Sequence, residues 1–267
     1  MDSIVLMALA ATLGTWAVTA LGAATVVFFK NPNPKFLNLM LGFAAGVMIA
    51  ASFWSLLQPA IERAEETLTT PAYLVATVGF LSGALFMWIS DKTVSAMRKK
   101  TDSSGGNPGE RFNRILMLIL SITLHNIPEG LAVGVAFGTL GNGGYSMESL
   151  MGAVTVAVGI GLQNFPEGAA VSLPLRREGV SRRKSFLLGQ ASGMVEPVAG
   201  VIGAMLVVHI ETFLPYALAF AAGAMILVAV HELIPECQRN MDAQPYFATM
   251  GIMCGFAIMM LLDVMLG

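Results

Sequence analysis

The sequence contains few charged residues and few cysteines. Only 12% of its 267 residues are charged, whereas charged residues make up about 25% of a typical soluble domain. Hydrophobic residues account for 55%, and the mean hydropathy is +0.71. This composition predicts a membrane protein and leaves no room for a large soluble domain. Two cysteines, Cys237 and Cys254, are too few for a disulfide framework, and we expect both to be free thiols.

Motifs of membrane enzymes and pumps are also missing. The sequence has no Gly-x-x-x-x-Gly-Lys-Ser/Thr phosphate loop, which argues against an ATP-driven pump. An intramembrane metalloprotease would need His-Glu-x-x-His, but Pro235 stands where the second histidine should follow His231 and Glu232. We therefore expect no enzymatic activity. The net charge of −2 points to no class of partner, and we expect neither a nucleic-acid partner nor an organic cofactor.

Long apolar runs separated by short polar breaks predict an all-α polytopic membrane protein with eight transmembrane helices. Two prolines within 31–34 end the first run, and the glycine-rich stretch 141–144 ends the fourth. We expect a single transmembrane domain, 1–267, with a cytoplasmic loop at 91–113. The predicted spans are 4–29, 36–57, 72–90, 114–137, 149–175, 186–208, 214–235 and 246–266.

The distribution of basic residues predicts the orientation of these spans. With eight spans, 14 of the 15 Lys and Arg residues fall in loops on one side of the membrane, and only Arg63 falls on the other. Basic residues concentrate on the cytoplasmic side of membrane proteins. Both termini are therefore expected to be extracytoplasmic. A wrong number of spans would have mixed the basic residues between the two sides.

An internal repeat relates the second and seventh predicted helices. The stretches 41–49 and 218–226 are identical at seven of nine positions, although small-residue apolar segments can also resemble one another by chance. The two helices run in opposite directions in the predicted topology. Inverted repeats are typical of secondary transporters, so we expect a 3+2+3 bundle of three helices, a central pair and three related helices.

The central pair carries the most informative residues, two copies of one hexapeptide. Residues 125–130 read His-Asn-Ile-Pro-Glu-Gly, and 163–168 read Gln-Asn-Phe-Pro-Glu-Gly. The His or Gln and the Glu four residues later emerge from one helix face. The intervening proline frees the carbonyl of Leu124 or Leu162. A charged group at mid-membrane costs about 2.5–3.5 kcal/mol, and this set of ligands is suited to a metal cation.

Further polar residues lie in the predicted spans. Glu196 precedes a proline, and His231 and Glu232 are followed by Pro235 and Glu236. The latter group suits a cytoplasmic exit site, although simple placement at the membrane interface accounts for it equally well. Asp263 is expected to be a structural hydrogen-bonding residue.

The two hexapeptides, together with the stretches 159–168 and 192–197, resemble the signature of the ZIP (Zrt/Irt-like) metal-ion transporters, in particular the GufA-type branch. The resemblance covers all eight predicted helices. It implies uptake of divalent transition metals, chiefly zinc, through a two-metal site in mid-membrane. It also implies an elevator-like sliding of one helix bundle against another, and often a homodimer.

The resemblance also implies roles for individual residues. The first metal would be held by His125, Glu129, Gln163 and Glu167, with Met48 nearby. The second would be held by Asn126, Glu129, Asn164, Glu167 and Glu196. His231, Glu232 and Glu236 match an exit path, and Ser55 a path from the outside. Some relatives carry Asp in place of Asn164, and many carry a His-rich loop that is absent from 91–113.

The donor types suit Zn²⁺ and also Cd²⁺, Fe²⁺ or Mn²⁺. The expected partners are the lipid bilayer, these divalent ions and a second copy of the chain. A metal-selective channel or a metal-binding membrane sensor would share the same ligands. The compact chain without a targeting segment favours a prokaryotic cytoplasmic (inner) membrane.

Overall fold

The computed structural model describes residues 2–29, 33–102, 108–141, 146–177, 179–238 and 246–266. The side chains of 2, 98–122, 177, 209 and 211 lie outside this description. The described residues form helices and short connections, with no β-strand among them. The predicted all-α character is therefore confirmed.

Eleven α-helices are described within these ranges. Some of them join end to end into longer segments, so that α2 continues into α3, α7 into α8, and α9 into α10. The helices are α1 (Asp2–Ala24), α2 (Pro34–Ala51), α3 (Gln58–Thr67), α4 (Ala72–Asp102), α5 (Pro108–Gly138), α6 (Met147–Arg177), α7 (Arg182–Ser192), α8 (Val195–His209), α9 (Leu214–Val228), α10 (Ile234–Gln238) and α11 (Tyr246–Leu266).

Helix starts follow ordinary capping chemistry. The side chain of Asn33 accepts a hydrogen bond from the Lys35 amide at the start of α2, and proline occupies the next position, Pro34. The hydroxyl of Ser181 caps α7 by accepting from the Lys184 amide. Arg182, Arg183 and Lys184 therefore lie in the first turn of α7, at the end of a span.

Seven stretches in the described ranges are long and apolar enough to cross a membrane, in agreement with a polytopic membrane protein. They correspond to the first three and the last four predicted spans. The fourth predicted span lies in α5, a 31-residue helix whose first half has side chains outside the description. The seven stretches are Ser3–Val27, Pro34–Thr67, Ala72–Met97, Met147–Arg176, Arg182–Val208, Leu214–Gln238 and Tyr246–Leu266.

Helices α4 and α5 are longer than their predicted spans. Both extend into 91–113, where the sequence predicts a loop, and only 103–107 of that loop lie outside the description. The predicted span of α4 ends at Ser90, because hydropathy falls at Asp91 and beyond. The helix continues because helical hydrogen bonds within a segment do not depend on hydropathy.

The helices pack most extensively in four pairs, α2 with α11, α4 with α9, α1 with α6, and α5 with α8. Glycines permit the close approach. A Cβ atom on Gly46 would overlap the carbonyl oxygen of Ile252 in α11, and one on Gly223 would overlap that of Phe80 in α4. Gly46 and Gly223 occupy the same position in the sequence repeat, so the repeated segments pack on their partners through equivalent glycines.

The helices of each pair run in the same direction. In α2 and α11, Gly42 faces Ala248 and Gly46 faces Ile252, so residue numbers rise together along both helices. Equivalent contacts join the other pairs, at Gly79 with Tyr216 and Gly83 with Phe220, at Gly130 with Glu196 and Gly138 with Val207, and at Asn164 with Thr15 and Gly168 with Thr19.

Two π-helical segments interrupt the repeated helices at matching places. Ser52–Leu57 joins α2 to α3, and Ala229–Leu233 joins α9 to α10. Each begins 11 residues after the start of the repeated nonapeptide. π-Helical turns are rare and frequently occur at functional sites. The first contains Ser55, and the second contains His231 and Glu232.

The four pairs form two groups. The first group contains α1 and α5 to α8, and the second contains α2, α4, α9 and α11. The groups meet where α2 packs on α6 and where α5 packs on α4 and α9. The two motif helices, α5 and α6, belong to the first group, and the π-helical segments extend helices of the second.

Candidate metal site

Both motif helices continue through their central prolines. Pro128 lies inside α5 and Pro166 inside α6. Because proline has no N–H, the carbonyl four residues earlier lacks its usual helical partner. The carbonyls of Leu124 and Leu162 therefore remain available one turn before the motif glutamates.

The last residue of each motif brings a further helix to the site. A Cβ atom on Gly130 would lie only 2.5 Å from the Glu196 carbonyl oxygen, at the start of α8. In the second motif, a Cβ atom on Gly168 would overlap the carbonyl oxygen of Thr19 in α1. Glycine is required at both positions because the neighbouring backbone occupies the space of a side chain.

The first group of predicted ligands comes together at this crossing. Gln163 donates a hydrogen bond of 2.5 Å from Nε2 to Oε1 of Glu129, and both side chains are wholly buried. His125, also buried, places Nε2 2.6 Å from Oε1 of Glu232 in the second π-helical segment. That contact is short but does not have hydrogen-bond geometry. Side chains from three helical segments thus meet across the boundary between the two groups.

Carboxylates dominate the electrostatics of the site. Glu129 lies close enough to Glu167 and Glu196 to interact with them electrostatically, as does Glu167 with Glu196 and Glu232. Concentrating negative charge in a buried region is costly unless positive charge or hydrogen-bond donors compensate it. A divalent cation supplies that compensation.

Acceptor oxygens without a hydrogen-bond donor distinguish this site. An unpaired buried acceptor costs about 1–3 kcal/mol, and five such oxygens belong to predicted ligand residues. They are Oδ1 of Asn126, Oε2 of Glu129, Oε1 of Gln163, Oδ1 of Asn164 and Oε1 of Glu167. Oxygen atoms of this kind are ligands for a metal cation.

In the part of the chain that the structure describes, no three His, Cys, Asp or Glu side chains converge closely enough to hold a metal ion by themselves. The amide oxygens of Asn126 and Gln163 lie among the carboxylates and lack donors. An ion bound here would draw the carboxylates together with these amides.

The second group of predicted ligands is tied into hydrogen bonds. Asn126 donates to the Ser192 carbonyl at 2.9 Å. Asn164 donates to both carboxylate oxygens of Glu196, each at 2.9 Å, and to the Thr15 carbonyl at 3.2 Å. Two threonine hydroxyls of α1 also approach Glu196, that of Thr15 at 2.5 Å from Oε2 and that of Thr19 at 3.4 Å from Oε1.

The threonines of α1 were not predicted as site residues. Thr12, Thr15 and Thr19 are all buried and lie on one face of α1. Their spacing of three and four residues in an apolar helix is the signal that could have indicated a buried polar contact. The partner, Glu196, follows Thr15 by 181 residues, so the sequence does not pair them.

The remaining predicted residues make other described contacts. Met48 is wholly buried in the main hydrophobic core, whose members also include Ala132 and Val133 of α5 and Ile160 of α6. Ser55 donates a 2.5 Å hydrogen bond to Asp263, which agrees with the expected structural role of Asp263. Both line a cavity of about 420 Å³ that also includes Glu62 and Thr139.

The predicted exit residues extend from the site toward the end of α9 and α10. Glu232 contacts His125, and its neighbour His231 is exposed and lies 3.7 Å from Asp91 of α4. Glu236 is exposed on α10. Glu232 thus contacts a motif side chain directly.

The sequence was compared with known proteins. The profile of the family described as "ZIP Zinc transporter" matches residues 3–111 and 96–263. The zinc transporter ZIP11 of Xenopus tropicalis is 41% identical, over 98% of both chains. The zinc transporter GufA of Myxococcus xanthus is 36% identical, over 97% of this chain and 98% of GufA.

Zinc transporter ZIPB of Bordetella bronchiseptica is 37% identical, over 94% of this chain and 79% of that protein. The relatives therefore include animal as well as bacterial proteins, and the predicted prokaryotic inner membrane stays a prediction. The apolar helices and these relatives agree on an integral membrane protein with a transport function. The chain belongs to the ZIP family of zinc transporters, within which it resembles the GufA-type members.

Proposed function

We propose that this chain carries divalent transition-metal ions, zinc first, across a membrane into the cytoplasm through the motif side chains of α5 and α6. The observation that carries the proposal is the group of buried oxygens without donors on Glu129, Gln163 and Glu167, three of the four proposed ligands. A cation bound by these residues would satisfy them. The relatives' names, which describe zinc transporters, support zinc as the substrate.

The proposed transport position uses His125, Glu129, Gln163 and Glu167. Imidazole, carboxylate and amide ligands suit Zn²⁺ and are also compatible with Cd²⁺, Fe²⁺ and Mn²⁺. No thiolate belongs to the set. An ion held without thiolates can be released, which a carrier requires. Glu129 and Glu167 are the residues on which the proposal depends most, because each keeps a carboxylate oxygen without a donor.

We propose eight membrane spans in a 3+2+3 inverted repeat, with both termini outside the cytoplasm. If the first three spans correspond to the last three, and α5 to α6, then the α1–α6 pair corresponds to α5–α8, and α2–α11 corresponds to α4–α9. These are the four most extensive pairs. The π-helical segments lie at equivalent positions of the two repeats, which supports the same correspondence. If successive spans cross the membrane in alternating directions, the two helices of each pair run in the same direction, as described above.

We propose that the first group of helices slides against the second during transport. The contact between His125 of α5 and Glu232 of the second π-helical segment joins the two groups at the site. Sliding would move an ion held by α5 and α6 past Glu232, from which His231 and Glu236 lead to the end of the helix. Ser55 and the cavity that it lines would serve the opposite side.

Uptake by proteoliposomes tests this function. Vesicles loaded with a metal-sensitive dye are offered Zn²⁺, Cd²⁺, Fe²⁺ or Mn²⁺, and the rates for wild type, Glu129→Ala, Glu167→Ala and Glu148→Ala are compared. Glu148 is an exposed glutamate in the first turn of α6, so it controls for the loss of a carboxylate from the same helix.

We expect saturable uptake of Zn²⁺ that is abolished in both motif variants and retained in Glu148→Ala. Saturation separates a carrier from a channel, whose flux rises further with concentration. Full transport activity of both motif variants would refute the assignment of the metal site to these side chains. Absence of flux for all four ions, in folded and inserted protein, would favour a metal-binding sensor.

A further inference from the structure

Glu196 is surrounded by hydroxyl groups of α1, a helix that carries no predicted ligand. Oγ1 of Thr15 lies 2.5 Å from Oε2 of Glu196, and Oγ1 of Thr19 lies 3.4 Å from Oε1. All three side chains are buried. These donors belong to the protein, so they are available to the carboxylate whether or not a cation is bound beside it.

The packing of α1 on the junction of α7 and α8 brings the hydroxyls to the carboxylate. A Cβ atom on Gly200 would lie 2.5 Å from Cγ2 of Thr12, and one on Gly193 would lie 3.1 Å from Oγ1 of Thr19. Glu196 lies between the two glycines in the sequence and meets the same face of α1 between Thr12 and Thr19. The threonine face of α1 therefore packs closely on both sides of the carboxylate.

Each of the two hydroxyls near Glu196 also has an acceptor on its own helix. Oγ1 of Thr15 lies 3.0 Å from the carbonyl oxygen of Thr12, and Oγ1 of Thr19 lies 3.4 Å from that of Thr15. A hydroxyl has one hydrogen and donates to one acceptor at a time. It can therefore donate to the carboxylate, or turn to the carbonyl when a cation takes the carboxylate oxygen, and in neither position is a buried donor left unpaired.

A carrier must also return without its ion. Thr15 and Thr19 of α1 and Glu196 of α8 belong to the first group of helices, so they would move together in the proposed sliding. Water can donate to the carboxylate while the site is open to either side of the membrane. Midway, with the site closed to both sides, only donors of the protein remain, and an uncompensated buried charge is costly.

We propose that Thr15 and Thr19 are positioning residues that hold Glu196 and compensate its charge while the carrier returns without an ion. In the loaded carrier the cation compensates the carboxylates, and the two hydroxyls turn to the carbonyls of α1. Movement of the empty carrier thus depends on the threonines, whereas movement of the loaded carrier does not. The inference rests on the proposed function, because it presupposes a sliding carrier with Glu196 at its ion site.

Two transport measurements on proteoliposomes separate these movements. Net uptake of Zn²⁺ into zinc-free vesicles requires the carrier to return empty. Exchange of labelled for unlabelled Zn²⁺, at equal and saturating concentrations on both sides, requires only the loaded carrier. The ratio of the two rates therefore reports the return of the empty carrier, and the exchange rate shows that a variant is folded and inserted.

The variants remove or keep the hydroxyls with little change of shape. Thr15→Val, alone and combined with Thr19→Val, removes the donors, whereas Thr15→Ser keeps one. Thr12→Val is the matched control from the same buried face of α1, because the Thr12 hydroxyl donates to the carbonyls of Ala8 and Leu9 on its own helix.

In Thr15→Val we expect net uptake to slow about tenfold, the effect of losing one hydrogen bond to a charged group, while exchange stays within about twofold of wild type. The double variant should separate the two rates further, and Thr15→Ser and Thr12→Val should transport like wild type. An equal loss of net uptake and exchange in Thr15→Val, or unchanged net uptake in the double variant, would overturn the inference and leave the proposed function standing. Absence of both activities in wild type would instead refute the proposed function, and the inference with it.

Discussion

The buried hydrogen bond between Gln163 and Glu129 permits a direct test of the charge state of the site. Gln163 donates to Glu129 over 2.5 Å, and neither side chain is exposed. In Gln163→Met the volume is nearly kept and the donor is lost. Glu129 would then have no donor for either oxygen, because Oε2 already has none.

The expected cost follows from the type of hydrogen bond. A hydrogen bond to a charged group contributes about 1.5–3 kcal/mol, and a neutral one about 1 kcal/mol. We therefore expect the free energy of unfolding of the zinc-free protein to fall by about 1.5–3 kcal/mol. Zinc uptake should also be lost, since the substitution removes a proposed ligand.

The chain offers a matched control. Gln58 donates to Glu62 over 2.9 Å between the same atom types, and both residues are exposed. Gln58→Met should change the stability by less than about 0.5 kcal/mol, because water replaces the lost donor. Unfolding of both variants in zinc-free detergent, by denaturant or heat, measures the difference. If both substitutions changed the free energy of unfolding equally, the conclusion that Glu129 is charged and stabilised by the Gln163 hydrogen bond would be refuted.

Three further predictions address packing, pH and the path of the ion. Gly223→Ala should destabilise the protein by about 1–3 kcal/mol, because the new Cβ would overlap the backbone of Phe80. Gly14→Ala should be neutral or stabilising, since no atom lies within 4 Å of its new Cβ. Thermal unfolding compares the two variants, and an equal loss of stability in both would contradict the packing account. Zinc binding should weaken as the pH falls, because protons compete for the imidazole and carboxylate ligands, and titrations at several pH values check this; pH-independent affinity would contradict it. Glu232→Ala should slow zinc release while zinc still binds, which efflux and equilibrium binding measurements separate. An unchanged efflux rate would show that Glu232 is not on the path.

The sequence predicts those parts of the molecule that depend on local composition. Apolar runs and their breaks correctly indicate the helices in the described ranges, because a membrane span must be both apolar and helical. The ends of α4 and α5 are missed, and so is α3, which continues the second predicted span beyond residue 57 to Thr67, since helical hydrogen bonds continue into polar sequence where hydropathy gives no signal.

At the site, the motif residues can be predicted because their spacing places the ligands on one face of a helix. Their contacts with other segments cannot be predicted in this way. The support that Thr15 and Thr19 give Glu196 depends on the packing of α1 against α8, and the contact of His125 with Glu232 depends on that of α5 against α9. Such long-range contacts follow from tertiary packing rather than from any local pattern.

The π-helical segments fall between these cases. Their position follows the repeat, which the sequence contains, but nothing in Ser52–Leu57 or Ala229–Leu233 alone predicts a wider turn. The predicted homodimer rests on the family resemblance, and cross-linking in native membranes would test it.

The central claim is that the motif side chains of α5 and α6 bind the transported ion. Anomalous diffraction from crystals soaked in Zn²⁺ or Cd²⁺ tests it most directly, because the signal locates the ion independently of activity. The account predicts a strong peak within bonding distance of Glu129 and Glu167, with His125 and Gln163 beside it, and no such peak in Glu167→Ala. Metal peaks confined to the exposed residues His231, Glu236 or Glu62, with none between α5 and α6, would contradict it.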